Sequence, residues 1–353
     1  MENVQESVQK YYGQDLNTSS DLKTNACCTQ VSYPNKIKQI LGQIHDEVMS
    51  KYYGCGLTIP NELEGLKILD LGSGSGRDCF LASKLVGPNG YVIGVDMTDE
   101  QLAVAEKHIS YHTDKFGYTK PNVTFKKGQI ENLDELNISS NSLDLIISNC
   151  VINLSVNKPK VLKDCYNLLK QGGEMYFSDV YVNKRITKEL ASDPVIYGEC
   201  LGGALYWNDF YHFAKEAGFT DPRIVEASAI TVENVELQEK LSEYEFYSVT
   251  YRLFKMDELE KDCEDYGQAV VYKGTLEGCD NSFALDHDHT FEKGKVVRVC
   301  GNTFSMLQGS RFKKHFEFIG DFNKHYGIFP GCGTSNPFQD IHKTNEIVEG
   351  SCC

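Results

Sequence analysis

Positive charge is scarce in this chain: of 353 residues, 35 are Lys or Arg against 50 Asp or Glu, giving a net charge of −15. That balance repels a phosphate backbone or an anionic bilayer, so no nucleic-acid and no membrane partner is expected. Apolar runs are also short, of strand length, and none approaches the ~20 residues of a bilayer span. The start, MENVQESVQKYYGQ, lacks the basic stretch and apolar core of a secretory signal. These absences predict a cytoplasmic protein. No C-x-x-C occurs and no His stands at finger spacing, which argues against a structural zinc site. Nor is there an internal repeat that would suggest a solenoid.

Hydrophobic residues make up 41% of the chain, enough to build a core in about two domains. Thirteen cysteines are too few for a disulfide scaffold of this length, and in a reducing compartment most would be thiols.

Residues 1–60 read as an N-terminal helical cap, in which NKIKQILGQIHDEVMSKYY places Ile37, Ile40, Leu41, Ile44 and Val48 on one helical stripe. From Leu66 the texture changes. KILDLGSG, YVIGVDM, VTFKKG, SLDLIISN and GGEMYFSDV alternate with amphipathic segments such as QLAVAEKHISYH and KPKVLKDCYNLL. This is the pattern of an α/β parallel sheet with crossover helices. WNDFYHFAKEAGF predicts a further helix ending near Gly218, and RIVEASAITV with EFYSVTYRLFK predicts an antiparallel pair completing a seven-strand sheet over 61–255. Residues 256–353, Gly-punctuated and rich in Phe and Tyr, predict a small β-containing C-terminal domain and a flexible Cys-containing tail.

LDLGSGSGRD follows a strand and opens a helix, so Gly72, Gly74 and Gly76 stand where backbone must turn tightly beside a ligand. The next strand ends in GVDM, where Asp96 can accept hydrogen bonds from ribose hydroxyls. Which adenosine cofactor follows from charge. A dinucleotide fingerprint needs Gly where this chain has Arg77, and it would set Asp70 beside a pyrophosphate. S-adenosylmethionine carries instead a sulfonium and an α-ammonium that a carboxylate attracts. It is therefore favoured over NAD, the plainer role for Asp70 being a strand-end cap. In GQIENL, Gln129, Ile130 and Glu131 can meet the adenine edge through an amide, a backbone N–H and a carboxylate.

Ligands of open α/β sheets sit beyond the carboxyl ends of the strands. Cys150 lies there after the fourth strand, and Cys200, in GECLGGALYW, lies in a segment expected to fold back over the same crevice. Cys27 and Cys55 belong to the cap, so four thiols can gather over one cofactor. Buried cysteine more often acts as a small hydrophobe, which is the reading for Cys79 and Cys165 on crossover helices. His287 and His289 in LDHDHTF read as an exposed polar hairpin rather than a metal pair.

YYGQDLNTSSDLKTNAC, KYYGCGLTIP, ILDLGSGSGRDC, GVDMT, VTFKKGQIENL, SNCVINL, GGEMYFSDVY, GECLGGALYW and YRLFK together resemble the arsenite S-adenosylmethionine methyltransferases of animals and algae. The resemblance runs from about residue 11 to 315, fading beyond except for Cys352 and Cys353, and its specific part is the pair of cysteine motifs. It implies a class I, Rossmann-like methyltransferase fold. It also implies that Cys150 and Cys200 hold arsenic(III) through all methylation steps, that Cys55 is the third thiol, and that Cys27 exchanges with it as a transient disulfide. Cys28, next to Cys27, is a second thiol there. Tyr53, the glycine loop, Asp96, Met97, Ile130 and Glu131 match cofactor contacts, and Asn149 is a further cofactor-binding candidate. The chemistry suits such a site, because thiolates are the natural ligands of a soft metalloid, and its lone pair carries no proton for a base to remove. Glutathione or thioredoxin would then serve as thiol reductant, arsenite, methylarsenite and their glutathione conjugates being the substrates. Two rivals remain open at this stage: a methyltransferase acting on another small molecule, which would need a pocket acid or base, and a non-catalytic metalloid sensor.

Overall fold

A computed structural model describes residues 33–332 apart from positions 55, 199 and 233. Cys27, Cys28, Cys55, Cys352 and Cys353 thus lie outside the described residues. The chain divides into two compact units, one built from the chain up to residue 256 with 284–290, the other from 257–283 and 291 onward.

In the first unit the apolar runs become strands β1 (Lys67–Leu71), β2 (Tyr91–Asp96), β3 (Val123–Lys127), β4 (Leu143–Asn149) and β5 (Leu169–Val182), followed by the short β6 (Leu205–Tyr206), β7 (Arg223–Ile230) and β8 (Phe246–Phe254). Their order is β3-β2-β1-β4-β5-β8-β7, with β6 paired to β5 off this path. β1 to β5 run parallel, whereas β8 is antiparallel to both β5 and β7. The expected seven-strand plan is therefore present, with a two-residue strand added. β1 and β4 are buried on both faces, which explains why they read as unbroken apolar runs rather than alternating ones. The order reverses between β1 and β4, opening a crevice at their carboxyl ends.

One face of the sheet packs Leu69, Leu71, Ile146 and Phe177 with Leu162 and Phe210 from the helices Lys158–Leu168 and Trp207–Ala217. The other packs Ile68, Leu145 and Ile147 with Phe80 and Ala82 of the helix Arg77–Val86 and with the cap residues Ile37, Ile40, Ile44 and Val48. The single cap helix expected from the stripe is in fact two, Asn35–Leu41 and Asp46–Ser50. Gly42 ends the first, and His45 starts the second by accepting the Glu47 N–H on Nδ1 at 3.1 Å. The apolar spacing survives the break because both pieces face one cluster.

In the second unit, considered alone, β9 (Ala269–Tyr272) is flanked by antiparallel β12 (Val296–Arg298) and β13 (Phe316–Ile319), and β10 (Ser282–Ala284) pairs with β11 (Thr290–Glu292). Its core is aromatic, Tyr272, Phe283, Phe291, Phe312 and Phe316 meeting in tilted and edge-on pairs. The hairpin tip counts with the first unit: Asp286 meets Arg223 at 3.2 Å and His289 at 2.7 Å, while His287 is exposed.

His112 joins the cap to the methyltransferase core. Its Nδ1–H donates to the His108 carbonyl at 2.7 Å, and Nε2 accepts the His45 N–H at 3.3 Å, so the neutral ring is required. The ring stacks on Phe80 at 3.7 Å. Burial, with His108 and His45 alongside, pushes its pKa from 6.5 down to about 4. Between those values the unfolded chain binds a proton that the folded one refuses, so stability is whole above about pH 6.5 and falls as pH drops toward 4. The loss should reach roughly 2–3 kcal/mol, and His112→Gln should remove that component. Urea midpoints at pH 7 and pH 4.5 check this, an equal drop in both proteins being the contrary result.

Candidate active site

The turn after β1 is built from glycines for identifiable reasons. Gly72 has φ +70°, and a Cβ there would overlap the Val151 side chain. Gly76, at φ +91°, caps the helix Arg77–Val86. The Gly74 N–H donates to Asp96 Oδ2 at 2.8 Å, and the Thr98 N–H donates to Oδ1 at 2.8 Å, tying the turn to the end of β2. Around these elements opens a cleft. Of the residues singled out in the sequence, Tyr53, Asp70, Gly72, Gly74, Asp96, Met97, Ile130, Glu131, Asn149 and Cys150 line it. Gly76, Gln129 and Cys200 do not: Gly76 lies at the helix start and Gln129 precedes the turn Ile130–Leu136.

The cleft floor is anionic. Asp70 is buried, and burial together with Asp78 and Asp96 pushes its carboxyl well above the usual range, against the Cys79 thiol that donates to Oδ2 at 3.2 Å. Burial likewise raises Asp96, offset by the backbone N–H groups it accepts. Asp78 has a cation, the Arg77 guanidinium at 2.6 Å, whereas Asp70 accepts from a thiol and Asp96 from backbone N–H groups. Such a floor would be stabilised by a positively charged ligand. Ser73 supplies a second sign of a ligand, since its Oγ is buried at the cleft with no hydrogen-bond partner. The residues present therefore fit a cofactor with an adenosine end and a cationic end. Sequence reasoning missed Ser73, Asp78, Thr98 and Gln101, all of which line the cleft. It also took Cys79 for packing, which its burial satisfies but its bond to Asp70 exceeds.

Cys150 and Cys200 meet at the same place. Cys200 Sγ donates to the Cys150 carbonyl at 3.4 Å, and both residues are buried. Cys150 is disulfide-bonded in this structure and Cys200 is a thiol. Both have left-handed backbone, φ +56° and φ +63°, a region that costs a non-glycine residue about 1 kcal/mol or more. The Cys150 N–H donates to Ser178 O of β5 at 2.9 Å, and the Cys200 N–H donates to Tyr197 O at 3.0 Å. The glycines after Cys200 are there for close approach, because a Cβ on Gly203 would overlap the Asn153 carbonyl. Lys158 stands nearby. Its Nζ donates to Ser155 O at 2.9 Å, and burial lowers it to about 8 against the pull of Asp179, Glu131 and Cys200. Asp179 is itself pushed up to about 7 by burial. Cys165 is plain core.

A parallel sheet reversing at β1, a glycine turn and an anionic floor beside an acidic β2 terminus define an S-adenosylmethionine-dependent methyltransferase. A methyltransferase-domain model matches residues 62–218, and a model described as the arsenite methyltransferase C-terminal domain matches 266–353. An arsenite methyltransferase of Aquipseudomonas alcaligenes is 55% identical, covering 99% of this chain and 100% of its own. That of Homo sapiens is 46% identical over 99% of this chain and 96% of its own. The crystal structure of an arsenic (III) S-adenosylmethionine methyltransferase from Chlamydomonas reinhardtii superposes with a TM-score of 0.82 at 50% identity, over 84% of this chain and 100% of that one. The chain belongs to the arsenite methyltransferase family. The match extends past residue 315, where the motifs had faded, to the C-terminus. No helix among the described residues is long and apolar enough to cross a membrane.

The raised pKa of Asp70 gives cofactor binding a pH dependence. A cation beside Asp70 favours its ionised form, so binding releases a proton and affinity should rise with pH through the raised value. Asp70→Asn should weaken S-adenosylmethionine binding about tenfold or more and flatten the dependence. Calorimetry at several pH values, in buffers of different ionisation enthalpy, measures both. A pH-independent wild-type affinity would contradict the assignment.

Proposed function

We propose that this protein transfers methyl groups from S-adenosylmethionine to trivalent arsenic, first on arsenite or its glutathione conjugate and then on methylarsenite, as a detoxifying activity of the cytoplasm. The observation that carries this reading is the meeting of two buried cysteines of left-handed backbone at the edge of the anionic cleft. Strain of that kind persists where function requires a side chain to point in one direction.

Bound S-adenosylmethionine supplies an electrophilic methyl group on a sulfonium. In this reading Asp70 attracts its cationic end, Asp96 accepts from the ribose hydroxyls, Ile130 and Glu131 meet the adenine, and Tyr53, Met97, Asn149 and the glycine turn shape the remaining wall. Cys150 and Cys200 hold the arsenic throughout, and Cys55 adds the third thiolate for arsenite. Three soft ligands leave the arsenic lone pair directed away from sulfur and toward the methyl donor. Catalysis is then positioning, and no side chain has to accept a proton from the nucleophile. Methyl transfer raises the metalloid formally by two electrons. Cys27 and Cys55 return them by closing a disulfide, which glutathione or thioredoxin reopens by thiol exchange.

Cys150→Ser and Cys200→Ser should abolish methylation of both arsenite and methylarsenite, whereas Cys55→Ser and Cys27→Ser should abolish only the first. Mass spectrometry of the products from purified protein with S-adenosylmethionine and glutathione tests the division. Equal loss of both steps in all four variants would refute it.

A further inference from the structure

Three consecutive residues of β5 grip the turn that follows Cys150. The Ser178 carbonyl accepts the Cys150 N–H at 2.9 Å, Asp179 Oδ2 accepts the Asn153 N–H at 2.9 Å, and the Val180 carbonyl accepts from Asn153 Nδ2. Asp179 Oδ1 takes the Val180 N–H at 2.9 Å, so both carboxylate oxygens are committed to backbone. That turn, Ile152–Leu154, in its turn grips the segment carrying Cys200. The Leu154 carbonyl accepts from Tyr197 Oη at 3.1 Å, and the Asn153 carbonyl lies so close to Gly203 that a Cβ there would stand 2.1 Å from it. Tyr197 also accepts the Cys200 N–H on its own carbonyl at 3.0 Å.

An acidic side chain is a costly choice at this place. Asp179 is 1% exposed, and Val180, Ile196 and Cys200 nearby are fully buried in one apolar cluster. What a carboxylate gains there is strength and direction, because its bonds to N–H groups are stronger than those of a neutral acceptor. They hold a turn that stands between two cysteines of left-handed backbone. Such holding matters to a chelate. When two thiols are already in place, the second arsenic–sulfur bond forms intramolecularly, and its gain depends on how well the pair is preset.

We propose that Asp179 and Tyr197 are positioning residues for the thiol pair, Asp179 fixing the turn after Cys150 to β5 and Tyr197 seating the Cys200 segment on that turn. The inference rests on the assignment of Cys150 and Cys200 as arsenic ligands. Capture of methylarsenite forms two arsenic–sulfur bonds, the two thiol protons leaving with its two hydroxyls as water. Dimethylarsenite has one hydroxyl and forms one such bond, so it does not depend on how the pair is set.

Tyr197→Phe removes one hydroxyl, and Asp179→Asn keeps the side-chain shape while turning an amide NH₂ group toward a backbone N–H. Protein reduced with a phosphine is equilibrated with methylarsenite or dimethylarsenite and pulsed with N-ethylmaleimide. Peptide mass spectrometry reads the arsenical concentration that half-protects Cys150, relative to the same protein without arsenical, and calorimetry gives the S-adenosylmethionine affinity. Expected is a rise for methylarsenite of about tenfold in Asp179→Asn and at least about threefold in Tyr197→Phe, with dimethylarsenite and S-adenosylmethionine within about twofold. A methylarsenite value within about twofold of wild type in either folded variant overturns the proposal, as does a parallel loss for dimethylarsenite or S-adenosylmethionine. If Asp179→Asn does not fold, Tyr197→Phe decides alone. Cys200→Ser in the same assay keeps the layers apart: a methylarsenite value equal to wild type there removes the thiol-pair assignment itself, and the positioning role with it.

Discussion

Left-handed backbone at two cysteines is the constraint around which the site is organised. Neither residue gains local stability from that conformation, so the surroundings must impose it. For Cys150 the imposing element is the sheet: β4 is buried on both faces and its neighbour β5 takes the Cys150 N–H at Ser178 O. For Cys200 it is a turn closed on Tyr197, with Gly203 pressed against Asn153. A core in which Leu145, Ile146 and Ile147 are fully buried can sustain a cost of about 1 kcal/mol at each position. The fold's stability is in this sense what permits two cysteines fifty residues apart in sequence to meet, the thiol of one on the carbonyl of the other.

The second organising element is charge. Asp70 and Asp96 sit at adjacent strand ends because β1 and β2 are neighbours in register, Asp70 opposite Gly94 and Asp96 one pair beyond Leu71–Val95. Parallel pairing brings both carboxylates to one end, where burial makes each reluctant to ionise alone. Cys150 and the cation-seeking floor therefore line one cleft.

Much of this was legible in the sequence where chemistry and spacing coincide. The glycine turn, Asp96 and the five parallel strands follow from period and turn residues, and the cysteine pair was visible from its place after the strands and from the motifs around it. What was hidden depended on three-dimensional neighbours. Ser73 and Asp78 carry no spacing signal, and their roles appear only when the helix after the turn packs under the cap. The break at Gly42 was hidden because the apolar stripe continues across it in projection. Of Gln129, Ile130 and Glu131, the latter two line the cleft, where the turn Ile130–Leu136 begins. Lys158 and Asp179 were invisible for another reason: an ionisable residue is unremarkable in sequence until burial shifts its proton affinity.

In the proposed reading, the floor that would attract the donor would also favour turnover. S-adenosylmethionine loses its sulfonium charge when the methyl leaves, and the product retains only the ammonium as a cation. A cluster of buried carboxylates binds the two forms unequally, because the ionised state of Asp70 is stabilised less once one positive charge has gone. In that reading an electrostatic preference for substrate over product would follow from the acidic groups at the ends of β1 and β2, with no movement of the sheet that carries them.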